Sequence, residues 1–198
     1  MKDYYIKREH KLKRRLRFFL RSLKKPLIEY YGEDFNSKIY HETEEEFDSV
    51  IRVLPDIGGK KNHFTIIITI NGFILAFYRV MKRNGKTIEE VIRVICEGTE
   101  RRFKSIPRPI TWLIGRIAFS PSFFRSMKKN AERSQKREYP ANFVYTVEKG
   151  TKESYDMKSI YTECAVCKFH ISENAEEILP YCDFADVLMS KYFGLGLE

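Results

Sequence analysis

Apolar positions recur at helical spacing through most of this chain. Over residues 5–24 and on to the next turn, Leu12, Leu16, Phe19, Leu20, Leu23 and Leu27 form one stripe, while basic residues fill the other faces. That pattern predicts an amphipathic helix. Pro26 falls where the helix would kink or a new turn begin. A polar stretch around residues 32–38 precedes a helix expected over residues 44–54, and Pro55, Asp56, Gly58 and Gly59 then break the chain. Residues 64–83 are apolar almost all round. Their first half is rich in β-branched residues and suits a strand, but the length and the continuation through residues 76–82 favour a buried central helix.

Asn84-Gly85 closes that element, and Thr87-Ile88-Glu89-Glu90 follows as a capping box, with Thr87 and Glu90 satisfying each other's amides. Ile88, Val91, Ile92, Ile95 and Cys96 make one face of the ensuing helix, which places Cys96 as a small core residue. Pro107 and Pro109 end this segment; an apolar helix is expected over residues 110–119, and residues 128–137 read as an exposed helical end or loop. After Pro140 the period changes. Phe143, Tyr145 and Val147 alternate, residues 148–152 supply a glycine-containing turn, and Tyr155, Met157 and Tyr161 resume the alternation, predicting a β-hairpin that runs into Cys164. The fold class expected is therefore α+β, mainly helical, with a small antiparallel hairpin near the C-terminus. There is no internal repeat and no low-complexity tract.

The chain has 198 residues, 43% of them hydrophobic, with 15 Phe and 12 Tyr, enough for a substantial core. It divides most simply into an N-terminal helix, residues 1–31, and the remainder, residues 32–198, within one globular unit. Neither of the two most apolar runs makes a good membrane span, which wants about 18 or more apolar residues. Residues 64–81 carry Thr65, Thr69, Asn71, Gly72 and Arg79, and residues 110–124 are short and contain Arg116. The charged N-terminus lacks a following apolar run, so a cytoplasmic, reducing location is expected, with the four cysteines as free thiols.

Charge is uneven. Residues 1–25 hold 11 Lys and Arg against Asp3 and Glu9, a net of +9, whereas the remaining chain is balanced overall. A specific nucleic-acid-binding fold is not expected on that distribution. The N-terminal helix suits either an anionic surface or, the favoured reading, packing of its leucine stripe with its charges left in solvent.

Chemistry concentrates near the C-terminus, in Tyr161-Thr162-Glu163-Cys164-Ala165-Val166-Cys167-Lys168-Phe169-His170 and Leu179-Pro180-Tyr181-Cys182-Asp183-Phe184-Ala185-Asp186. With Thr162 as N-cap, Cys164 falls in the first turn of a helix, where free amides and the dipole favour a thiolate. Cys167 follows one turn later. Pro180 is expected to open a second helix, with Cys182 and Asp183 at its start. Three chemical readings arise. Cys164, Cys167 and Cys182 with His170 or Asp183 make a set suited to zinc. Cys164 and Cys167 make a redox pair. One thiolate with Asp183 or His170 as proton carrier makes a nucleophilic site. Against these stands burial of the cysteines as small hydrophobes.

These segments resemble the C-terminal signature of the L-2-amino-thiazoline-4-carboxylic acid hydrolase family: an extended stretch into a cysteine (Cys164), a Leu-Pro approach to a second (Leu179-Pro180-Tyr181-Cys182), and an aspartate, either Asp183 or Asp186. Ala76-Phe77-Tyr78-Arg79 followed by Asn84-Gly85-Lys86-Thr87-Ile88-Glu89-Glu90 resembles a further region of that family, so the likeness covers roughly residues 64–198. Relatives continue into a glycine-containing turn and a Cys-Asp-Phe strand, where this sequence ends at Gly194-Leu195-Gly196-Leu197-Glu198.

The resemblance implies a hydrolase-like α+β domain over residues 32–198 that opens a cyclic amidine-like C=N bond of a small molecule. It needs no cofactor. Cys164 or Cys182 would serve as nucleophile or ligand and Asp183 as proton carrier. Arg79 would hold the substrate carboxylate, ahead of Arg101, Arg102 and Arg108. The alternative is a non-catalytic module in which Cys164, Cys167, Cys182 and His170 hold a metal, or the cysteines a small ligand.

Overall fold

Helix α4 (Thr65–Arg83) carries the densest run of apolar residues in the chain, and twelve of its residues are buried. In the computed structural model, which describes residues 3–151 and 156–196, four of the other helices pack against it. A short α1 (Asp3–Ile6) leads into α2 (Glu9–Tyr31), α3 (Glu33–Val53), α4 and α5 (Ile88–Lys104). An outer pair follows, α6 (Arg108–Ala118) and α7 (Pro121–Ser134). The hairpin β1 (Val144–Lys149) and β2 (Met157–Glu163) then leads to α8 (Ala165–Ser172) and α9 (Phe184–Phe193), with a two-turn 3-10 segment at Glu176–Tyr181 between them. The architecture is mainly helical α+β with one two-stranded antiparallel sheet. Lys2, the turn residue Lys152, Tyr155, Leu197 and Glu198 lie outside the described residues.

Residues 64–83 resolve as helix rather than strand because the segment is long and finds apolar cover on several sides. Among the described residues α4 is the one helix long and apolar enough to cross a membrane, and 67% of its most apolar window is buried inside the protein.

Helix α2 runs unbroken through Pro26, which is buried within it. Leu12, Leu16, Leu20, Leu23 and Leu27 are all in the core, each contributing about 1.5–3 kcal/mol by burial. Its charges meet an acidic neighbour: Lys13 pairs with Asp48 and Arg17 with Glu44, both on α3. Part of the basic N-terminus is thereby neutralised internally. Helix α2 also approaches α5 closely at Gly98, where an added Cβ would stand 2.7 Å from the Ser22 carbonyl oxygen.

One boundary differs from the pattern-based expectation. Helix α3 starts at Glu33, a full three turns before Glu44. Its early buried positions include Asn36 and Thr43, polar residues that hide the stripe; the Thr43 hydroxyl is satisfied by donating to the Ile39 carbonyl. Residues 128–137, expected as an exposed end, mostly belong to α7, whose Met127, Ala131 and Ser134 pack against β1. The Ser134 hydroxyl there accepts from the Tyr145 amide, and Gln135 donates to the Tyr145 carbonyl.

Candidate functional site

The hairpin sets the position of the cysteines. Val144 pairs with Glu163 and Tyr145 with Tyr161, with an irregularity between Val144 and Tyr145. Strand pairing therefore reaches Glu163, and Thr162, expected to cap the next helix, is still in β2, its hydroxyl donating to the Val144 carbonyl. Cys164 itself is the N-cap of α8, in extended conformation and without a side-chain capping bond. Cys167 is the third helical residue.

Cys164 and Cys182 both lie close enough to act on the Cys167 thiol; burial first, then these neighbours, push Cys167 up to about 11. Cys182 follows the 3-10 turn, its sulfur 4.0 Å from the Ile178 carbonyl oxygen. Burial raises its pKa, and the charges of Cys164, Asp183 and Asp186 add to the rise. Asp183 is the N-cap residue of α9. Asp186, one turn on, is pushed above the usual carboxylate range by burial and then by the charge of Asp183. Three thiols and two carboxylates thus share one neighbourhood, and the thiols are partly open to solvent, Cys182 most of all.

Tyr161 closes one side of this group. Its ring stacks on Tyr145 with centroids 5.1 Å apart and planes 20° from parallel. Burial, Asp186 and Cys164 push its hydroxyl up to about 12. Tyr145 in turn lines a cleft of about 500 Å³ that also presents Lys61, His63, Arg133, Lys136 and Tyr139, and no cysteine lines that cleft.

Two residues expected at the site lie elsewhere. His170 is fully buried, and its Nε2 is 2.9 Å from Asn71 Oδ1 on α4. Each three-residue step along a helix turns about 60° backward, so two steps from Cys164 carry the imidazole toward α4. Among the described residues, no group of three or more His, Cys, Asp or Glu side chains is arranged to hold a metal ion. The four-residue zinc set is therefore not assembled. Arg79 is held by Glu46 and by the side chain and carbonyl of Glu173. Glu173 caps the C-terminal end of α8, about 12 Å along the helix from Cys164.

Cys96, expected in the core, is only partly buried; burial raises its pKa and the charge of Asp183 raises it further. It faces the start of α9 and so belongs to the edge of the cysteine group. Nothing in the α5 periodicity distinguishes it from Ile95, because the pattern does not tell which helix will cover that side. Beside Cys164, Glu163 engages both Lys168 and Arg137, which hold its carboxyl below the usual range. Lys168 is the nearer of the two to Cys164 in sequence. No protein-family model, curated protein or solved structure matches this chain.

Proposed function

We propose that the face bearing Cys164, Cys167, Cys182, Asp183 and Asp186 is a hydrolytic site for a small cyclic amidine carrying a carboxylate, the chemistry of the L-2-amino-thiazoline-4-carboxylic acid hydrolase family. The observation that carries the reading is the nearness of Cys164, Cys167 and Cys182 to one another and to two carboxylates, one of which burial pushes above the usual carboxylate range. Cys164 is the attacking group in this reading, because it is the N-cap residue of α8 and its side chain makes no capping bond. Addition of the Cys164 sulfur to the ring carbon breaks the ring bond as the departing ring atom takes a proton from a donor, and water then displaces the sulfur and returns the thiol. Asp186 is the better donor, since burial and Asp183 favour its neutral form. Asp183 then stays as the counter-charge to a protonated amidine. Lys168, four residues from Cys164, is the cation proposed for the substrate carboxylate, which would take the place of Glu163 on it, whereas Arg79 is held at the far end of α8 by Glu46 and Glu173.

The test is ring opening of 2-amino-thiazoline-4-carboxylate by the purified chain, with folding followed by circular dichroism. Cys164→Ser is expected to abolish turnover and Asp186→Asn to lower it by about 10²-fold, both with unchanged helicity, while Lys168→Met raises KM. Binding of the compound without turnover would assign the face to a ligand-binding module instead, and neither binding nor turnover would remove the reading altogether.

A further inference from the structure

Residues 101–137 hold eleven Lys and Arg and one acidic residue, Glu132. The overall balance of residues 26–198 conceals this second basic segment. Three of these cations, Arg101, Lys104 and Arg137, have carboxylate partners. The other eight have none among the described residues, and Arg108, Arg116, Arg125, Lys128 and Lys129 are exposed.

The same segment presents its apolar side chains outward. On α6 and the turn after it, Ile110, Trp112, Leu113, Ile114, Ile117 and Phe119 are all exposed, Trp112 at 62% and Ile117 at 54%, and the single buried residue of α6 is Gly115. Gly115 sits against the Phe193 carbonyl of α9, where an added Cβ would stand 2.5 Å from the oxygen, so α6 is fixed to the protein by one narrow line. An apolar groove of about 690 Å³ runs between Leu113, Ile117, Phe119 and Pro121. Arg116 lies over the Trp112 ring, 5.1 Å from its centroid.

We infer that the α6–α7 hairpin is a docking surface for an anionic lipid bilayer, lying in the interface rather than crossing it. Helix α6 has 11 residues, a length of about 16 Å against the roughly 30 Å of a hydrocarbon core. Its apolar side chains and a tryptophan suit burial at the headgroup boundary, and the surrounding cations suit phosphate headgroups. Charge decides between occupants. A second copy on this face would bring two strongly basic segments together, which is repulsive. A nucleic acid would satisfy the cations but leave the aliphatic row in water.

Trp112 is the only tryptophan in the chain, so its emission reports this face without labelling. The full chain is mixed at about 0.1 M salt with vesicles of phosphatidylcholine alone, or containing about 30 mol% phosphatidylserine. The expected result is a blue shift of Trp112 and co-sedimentation with the anionic vesicles only. Each of Arg116→Gln, Lys128→Gln and Lys129→Gln should weaken binding by about fivefold. Leu113→Ser with Ile117→Ser, both on solvent-facing positions, should remove the blue shift with the helical circular dichroism intact. Equal affinity for neutral and anionic vesicles, or no shift with either, overturns the proposal. So does a micromolar dimer in sedimentation equilibrium that the Leu113/Ile117 variant converts to monomer, since that assigns the face to a second copy.

Discussion

The Nε2 nitrogen of His170 donates to Oδ1 of Asn71, joining α8 to α4 in the interior. The direction follows from the amide: Asn71 Nδ2 is already donating to the Ile67 carbonyl, so its oxygen faces the ring. Nδ1 of His170 is then a buried acceptor with no partner among the described residues. Protonating it would place an unpaired charge inside the protein, and burial accordingly lowers the His170 pKa from 6.5 to about 4.

That shift makes stability depend on pH. Above pH 6.5 the ring is neutral in both folded and unfolded chains, and the full stability is present. Between pH 6.5 and 4 the unfolded chain takes up a proton that the folded one refuses, so stability falls; below about 4 this loss levels off. The His170 contribution to the loss is about 3 kcal/mol. Urea melts at pH 7 and pH 4.5 should show it, with a smaller pH dependence in His170→Gln. An identical slope in that variant would refute the assignment.

Thiol chemistry should follow the order set by burial and neighbouring charge. Alkylation of Cys167 is expected to stay slow through pH 9 and to accelerate only as its raised pKa of about 11 is approached. In Cys164→Ser the charge that helps hold the proton on Cys167 is removed, so Cys167 should react faster at pH 9, and Cys182 likewise. Mass spectrometry of iodoacetamide-treated protein gives both rates; unchanged rates in the variant would separate the three sulfurs.

Gly98→Ala should destabilise the protein by about 1–3 kcal/mol, since the added methyl meets the Ser22 backbone oxygen and Leu23 across the α2–α5 contact. Backbone cannot yield as a side-chain tip can. Gly85→Ala is a control of another kind: its added methyl would meet nothing within 4 Å, but its φ of +76° makes the substitution strained. Thermal melts of both variants measure the two costs separately, since the methyl at position 98 meets neighbouring atoms and the one at position 85 meets none.

Arg79 is shared by Glu46 and Glu173, whose side chains are 12% and 16% exposed. Either Glu46→Gln or Glu173→Gln leaves the guanidinium one carboxylate. Removing both leaves it unpaired, so the double variant should lose about 1 kcal/mol more than the two single losses combined. Chemical denaturation of the four proteins measures that coupling, and additive losses would show that the two carboxylates act independently. On the proposed reaction, KM should be insensitive to Glu46→Gln, because this ion pair lies at the far end of α8 from Cys164.

Short-range regularities made several elements legible before any tertiary information. The leucine row fixed α2, the Thr87–Glu90 capping box is present as read, and alternation after Pro140 gave the hairpin that carries the chain to Cys164. These depend on backbone bonds and side chains a few residues apart, which is what sequence spacing encodes. The clustering of Cys164, Cys167 and Cys182 was legible for the same reason, being only two turns and a loop apart.

Tertiary packing decided the rest. Periodicity gives the apolar face of a helix but not what covers it: α4 is enclosed while α6, also apolar, faces solvent. It does not tell that His170 turns to Asn71, that Arg79 is taken by Glu46 and Glu173, or that Cys96 meets the charge of Asp183. Each of those relationships joins residues between 33 and 99 positions apart, or unites separate helices, and is set by which faces fit together once the core closes.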